Sequence, residues 1–199
     1  TQEGLTHEQV LHNGDIVDII DQSIGHTRQL GPLARFTETA VGPQGPAPIL
    51  GEHTDAVLEA LHKWTPPTLK AKEGTPKHPL AGITVMEFAS YIAVPFVAAL
   101  LADLGARVIK VEPITGDLFR SSFPKNAKTL QGKESLSLDL KDPRCQEALH
   151  RLVAKTDILI HNFRPGVPER LGIDYQRLRQ INPEIIYIYS GAYGSTGPH

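Results

Sequence analysis

Nine histidines, twenty-two carboxylates and one cysteine, Cys145, are the residues of this 199-residue sequence best able to hold a metal or attack a substrate. Their spacing argues against the familiar sites. The histidines form no metal-ligand pattern with one another, with carboxylates or with Cys145, so no metal is expected. Cys145 falls in the first turns of an amphipathic stretch, where a cysteine is more often a small packing residue than a nucleophile. There is no Gly-x-x-x-x-Gly-Lys-Ser/Thr run to cradle phosphates and no Gly-x-Ser-x-Gly elbow to present a serine. The turn after Phe88 reads Ala-Ser-Tyr-Ile-Ala-Val-Pro and lacks the glycines of a dinucleotide fingerprint.

The elements that must position any site are clearest after residue 80. Gly82–Phe88 reads as a strand, Ala93–Leu104 as a helix with Pro95 in its first turn, and Arg107–Glu112 as a second strand. Phe96, Leu100, Leu101 and Leu104 share one helical face, and Gly105 supplies the stop. Strand, helix, strand is a βαβ unit with a right-handed crossover. Ser135–Leu140 alternates as a further strand. Asp142–Lys155 is an amphipathic helix with Asp142 as N-cap and Pro143 at its first position. Asp157–His161 is a strand, Pro168–Leu171 and Tyr175–Ile181 are short helices, and Glu184–Tyr189 is another strand. The expected fold class is α/β: a Rossmann-like, mostly parallel sheet with flanking helices.

Residues 65–79 (TPPTLKAKEGTPKHP) are rich in proline and lysine and read as a linker. Before them, Thr6–Leu11 is expected to be a helix capped by Thr6, and Ile16–Ile20 a strand. Residues 41–51, with three prolines and three glycines, are expected to loop over a surface. Thr54–Trp64 should be a helix capped by Thr54, with Val57, Leu58, Leu61 and Trp64 on one stripe. This is too little apolar material for an independent domain. Overall, 40% of residues are hydrophobic, 21% are charged and the net charge is −2. That balance fits a globular protein and argues against a dedicated nucleic-acid binder, which normally shows a basic excess. One cysteine fits a reducing cytoplasm, and no apolar run reaches the roughly 20 residues of a membrane span. The polar first ten residues are not a signal peptide, and a start without Met suggests that the ends are not natural ends.

Short strings remain at the strand ends: Phe88-Ala-Ser-Tyr-Ile-Ala-Val-Pro95, Leu101-Ala-Asp-Leu-Gly-Ala-Arg-Val-Ile-Lys-Val-Glu-Pro113, Gly116-Asp117, Gly132-Lys133, Ser135-Leu-Ser-Leu-Asp-Leu-Lys141, Asn162-Phe-Arg-Pro-Gly166, Glu169-Arg-Leu-Gly172 and Tyr193-Gly-Ser-Thr-Gly-Pro198. In order and spacing, from about Pro79 onward, they resemble the family III CoA-transferases, the family of formyl-CoA transferase and carnitine-CoA transferase. Arg28-Gln-Leu-Gly-Pro32, Phe36, Pro46-Ala-Pro48 and Leu50-Gly-Glu-His-Thr54 resemble the closing segment of such an enzyme. The resemblance therefore implies the tail of one copy (1–64), a linker (65–79) and the CoA-binding head of a second copy (80–199), as in a tandem fusion.

CoA needs cations for its phosphates, helix N-termini and an apolar slot for its base. The resemblance places the CoA arm at Tyr91, Ile92 and Ala93. It gives Lys110 a place in the site and frames the adenine with Leu138 and Asp139. Lys141 is its main cation, with Arg170 near the phosphates. Asn162, Phe163 and Arg164 follow a strand's C-terminal end, where α/β sheets bind ligands. Two residues depart from the pattern: Pro113 cannot donate a backbone hydrogen bond to adenine, and Glu134 weakens the positive field beside Lys133.

The family's aspartate nucleophile, which forms a mixed anhydride from the acyl-CoA thioester, has no counterpart here. It lies beyond the Gly-Ser-Thr-Gly-Pro region, and His199 is not the catalytic histidine of related racemases. The implied substrates are acyl-CoA and a carboxylic acid, with no covalently bound cofactor. The implied assembly is a homodimer or an intramolecular pair of fused copies. An acyl-CoA racemase of the same superfamily and a non-catalytic, CoA-binding scaffold copy are the alternatives.

Overall fold

The structure, a computed structural model, describes residues 2–32, 34–63, 77–118, 120 and 127–198. Most of the expected linker, together with Trp64 and His199, lies outside them. The chain forms two compact units, residues 1–72 with 193–199, and residues 73–192.

The larger unit is built on a five-stranded sheet. In chain order it contains β3 (Thr84–Phe88), α3 (Ala93–Asp103), β4 (Arg107–Glu112), β5 (Lys133–Ser137), α4 (Pro143–Val153), β6 (Ile158–His161), α5 (Val167–Leu171), α6 (Tyr175–Ile181) and β7 (Ile186–Tyr189). The spatial order is β5-β4-β3-β6-β7 and every pairing is parallel. Parallel sheets are covered on both faces, so the central strands β3 and β4 are buried on both sides rather than alternating. Val85, Val108 and Ile160 pack with Val94 and Ala98 of α3. Their neighbours Met86, Val111 and Leu159 pack with Leu149, Val153 and Leu178 of α4 and α6. Asp142 caps α4 as expected, accepting from the Arg144 N–H at 2.8 Å, and Asp174 caps α6 through the Arg177 N–H.

The alternating strand begins at Lys133, two residues before its expected start, and ends at Ser137, three before its expected end. In α3 the buried residues are Val94, Pro95, Ala98 and Ala99. Phe96, Leu100 and Leu104, the apparent stripe, stay substantially exposed. The helix is apolar almost all round, so periodicity alone does not choose a face. The alanine side lets the helix axis approach the sheet closely. No described helix is long and apolar enough to cross a membrane.

The smaller unit holds a 3-10 turn (Gln2–Leu5), α1 (Glu8–His12), an antiparallel hairpin of β1 (Ile16–Asp21) and β2 (Gly25–Leu30), and α2 (Thr54–Lys63). Thr6 is not the cap of α1. Its hydroxyl donates to the Glu3 carbonyl, and His7 Nδ1 accepts from the Gln9 N–H instead. Thr54 is the first residue within α2 rather than its cap. β2 is mostly exposed and carries few β-formers, so its sequence does not announce it. Among the described residues of this unit Ile16 is the one buried apolar side chain. Val57, Leu58 and Leu61 are exposed, consistent with a segment short of core material.

Candidate functional site

From β3 the chain builds outward through β4 and β5, then returns to lay β6 and β7 on the other side of β3. The loops that leave the C-terminal ends of β3 and β6 therefore diverge from neighbouring strands. Such a switch point opens the crevice in which α/β sheets take ligands. Phe88 and His161, the last residues of the two strands, are register partners.

Just beyond them the two loops are tied together. Asn162 Oδ1 accepts from the Ser90 N–H at 3.2 Å, and Asn162 Nδ2 donates to the Ser90 carbonyl at 3.0 Å. The next residue, Tyr91, has φ +68°, the one positive φ outside glycine among the described residues. A bulky residue held there costs about 1–3 kcal/mol, and it persists only where its surroundings fix it. Tyr91 is 59% exposed, so the strained turn presents its ring outward. Ile92 occupies the cap position of α3 and supplies no side-chain cap. No side chain therefore caps the N–H groups of Ala93 and Val94, and Pro95 has none to satisfy; uncapped helix starts of this kind are where anions bind. Replacing Asn162 with Ala removes both bonds to Ser90. We expect a loss of about 1–3 kcal/mol in urea unfolding, the usual cost of leaving part-buried backbone groups unmade.

The other expected site residues lie at this C-terminal edge of the sheet or just beyond it. Leu138 follows β5 and donates its N–H to the Glu112 carbonyl at 2.9 Å. Leu138 and Phe163 are half-buried against the same apolar cluster. Asp139 folds its own loop by accepting from the Lys141 N–H, and the Lys141 side chain is exposed, with no ion pair among the described residues. Arg164 and Arg170, on the loop after β6 and on α5, are also exposed. Glu134 does not set a free negative charge beside Lys133. Arg107 holds it through two bonds of 2.8 Å.

Lys110 is the correction. It is 1% exposed, and its ammonium donates to Glu87 Oε1 at 2.9 Å and to the Ala89 carbonyl at 2.6 Å, and pairs with Asp117 Oδ2 at 2.9 Å. β4 is an interior strand, so Lys110 has no solvated edge from which to reach a phosphate. It belongs instead to a buried polar network that sequence reading missed. Glu87, wholly buried, is its register partner and also binds Lys133, whose ammonium donates to the Pro95 carbonyl at 2.7 Å. Glu112 accepts from Arg120, the Asp117 N–H and Ser135 Oγ. Burial works to raise the Glu112 carboxyl, but these hydrogen bonds outweigh it and bring it down to about 2. The signal that could have found the network is a lone Glu and a lone Lys inside consecutive buried strands, since such charges must be paired.

His161 was also missed. It is 2% exposed, stacked 5.2 Å from Tyr189 and flanked by Tyr187 and Phe163. Its Nδ1 accepts from the Phe163 N–H, while Nε2 has no partner among the described residues. Burial brings the imidazole down to about 4, against a smaller opposing pull from Glu169.

The sequence and the fold are both similar to known proteins. The chain is 42% identical over 131 residues to the acetyl-CoA:oxalate CoA-transferase of Acetobacter aceti, covering 62% of this chain and 34% of that protein. It is 32% identical over 183 residues to the succinyl-CoA–L-malate CoA-transferase alpha subunit of Chloroflexus aurantiacus, covering 87% and 40%. Among solved structures, the CaiB/BaiF family protein of Brucella suis superposes with a TM-score of 0.58 at 38% identity, covering 62% of this chain and 36% of that one. Rv3272 of Mycobacterium tuberculosis superposes with a TM-score of 0.57 at 37% identity, covering 63% and 36%. The chain thus spans between a third and two fifths of these curated relatives' length. The sequence model of CoA-transferase family III matches residues 80–199, the parallel sheet and the strand-end loops together, and the chain belongs to that family.

Proposed function

We propose that this chain supplies the CoA-binding part of an acyl-CoA:carboxylate CoA-transferase. The observation that carries the reading is the topological switch point between β3 and β6. There the Tyr91–Ala93 turn, the uncapped end of α3 and the Asn162–Arg164 loop meet across the Asn162–Ser90 bridge. The α3 end would receive the pyrophosphate or the pantetheine arm, Lys141 and Arg170 the phosphates, and Leu138 with Phe163 an apolar side for the adenine.

In this reading an aspartate outside the chain attacks the thioester carbonyl. The C–S bond breaks, CoA leaves as its thiolate, and an acyl-aspartyl anhydride forms; the thiolate then attacks the aspartyl carbonyl, the donor acid leaves as its carboxylate, and the acceptor carboxylate takes the CoA from the aspartyl thioester by the same two steps in reverse, which frees the aspartate. The 199-residue chain is then inactive alone, and residues 1–64 are the tail of a preceding copy joined through 65–79. The assembly would be a homodimer or an internal pair of copies, working in the cytoplasm. With Glu134 neutralised by Arg107, one of the two departures that favour a non-catalytic copy loses its force.

Calorimetric titration of the chain with CoA tests the reading. We expect one site per chain. Lys141→Ala and Arg170→Ala should each weaken binding about three- to tenfold, the scale of one lost charge-assisted contact to a phosphate. Absence of binding by the folded chain would overturn it.

A further inference from the structure

Three side chains hold the backbone on both sides of Tyr91. Lys110 donates to the Ala89 carbonyl, Asn162 binds both backbone groups of Ser90, and Lys133 donates to the Pro95 carbonyl. The two lysines come from different strands, β4 and β5, and meet on the two oxygens of one carboxylate, Glu87. All three groups are buried: Glu87 and Lys110 almost completely, and the Lys133 side chain likewise. The carbonyls they reach bracket the turn, one just before it and the other inside the first turn of α3. A residue at positive φ keeps that conformation only when its neighbours leave no alternative.

We propose that Lys110 and Lys133, clamped on Glu87, are positioning residues that hold the Ala89–Pro95 turn and the N-terminal end of α3 in the geometry that receives the CoA moiety. The inference rests on the functional reading above. Neither lysine touches the ligand: each acts through a backbone carbonyl. A site built on a turn needs a supporting shell with locked partners, and this shell is anchored in three adjacent strands of the sheet.

Lys133→Met tests the clamp but leaves Glu87 with one cation fewer. Glu87→Gln with Lys133→Met keeps the charges balanced, because Lys110 and Arg120 then face Asp117 and Glu112. In this double variant we expect a urea midpoint close to that of the parent. Amide exchange in a peptide spanning residues 88–97 should be about tenfold faster, with α4 and β6 unchanged, as for a local opening. CoA affinity should fall about tenfold, read by calorimetry, as preorganisation of the site is lost. Unchanged exchange in that peptide would overturn the proposal. So would faster exchange with unchanged CoA affinity, or a charge-balanced variant that fails to fold, since the lysines would then serve the fold alone. If the parent chain binds no CoA, the functional reading fails, while the exchange measurement still decides whether the clamp exists.

Discussion

Lys110→Met is expected to destabilise the chain by about 3–5 kcal/mol in urea unfolding, the cost of removing one member of a buried ion cluster. The size follows from what is left behind. Three cations (Lys110, Lys133, Arg120) face three carboxylates (Glu87, Asp117, Glu112) in one connected set. Removing the central cation leaves two positive charges against three negative ones, and most of these groups are buried. Methionine fills much of the lysine volume, so a cavity contributes little. The Ala89 carbonyl also loses its donor.

Asp117→Asn in the same chain restores two against two and keeps the Asp117 N–H bond to Glu112. We expect the double variant to recover about half of the loss, because the uncompensated charge rather than the missing contact dominates the penalty. A single variant within about 1 kcal/mol of the parent would mean that water reaches the cluster and screens it. Equal losses in the single and double variants would mean that lost packing, not charge, sets the cost.

The parts of this fold that were legible in the sequence are those where local chemistry and periodicity agree. β4 and α6 match their expected bounds, and α4 begins where Asp142 and Pro143 say it must. The loops at the strand ends were found through strings such as Asn162-Phe-Arg-Pro-Gly. What stayed hidden depends on which residues meet across the sheet. Glu87 and Lys110 stand 23 positions apart, and only parallel register makes them partners. Lys110 therefore looked like a ligand contact until its neighbours were known. The exposed face of α3 was hidden for the opposite reason, since both of its faces are apolar. β2 gave no sign because a polar hairpin strand carries no alternation to read.

Acidification from neutral pH is expected to weaken this fold first through His161. In the unfolded chain the imidazole takes up its proton near its ordinary 6.5, whereas in the folded chain burial delays uptake to about 4. Between those values the unfolded state binds the extra proton, so stability falls as pH falls, by about 3 kcal/mol across the window. Below it both states are protonated and this contribution is flat. Glu112 opens a second, lower window: its folded-state value of about 2 against 4.5 removes stability only as pH drops between those two. His161→Phe separates them. The ring fits among Phe163, Tyr187 and Tyr189 and removes the unpartnered Nε2, while the Phe163 N–H loses its acceptor. Those two changes oppose each other, so stability near pH 7.5 should move by no more than about 1 kcal/mol. Urea midpoints followed from pH 7.5 to 3 should then show the upper slope flattened and the lower slope retained. A variant that kept the parent's slope between pH 6.5 and 4 would show that some other group takes up the proton there.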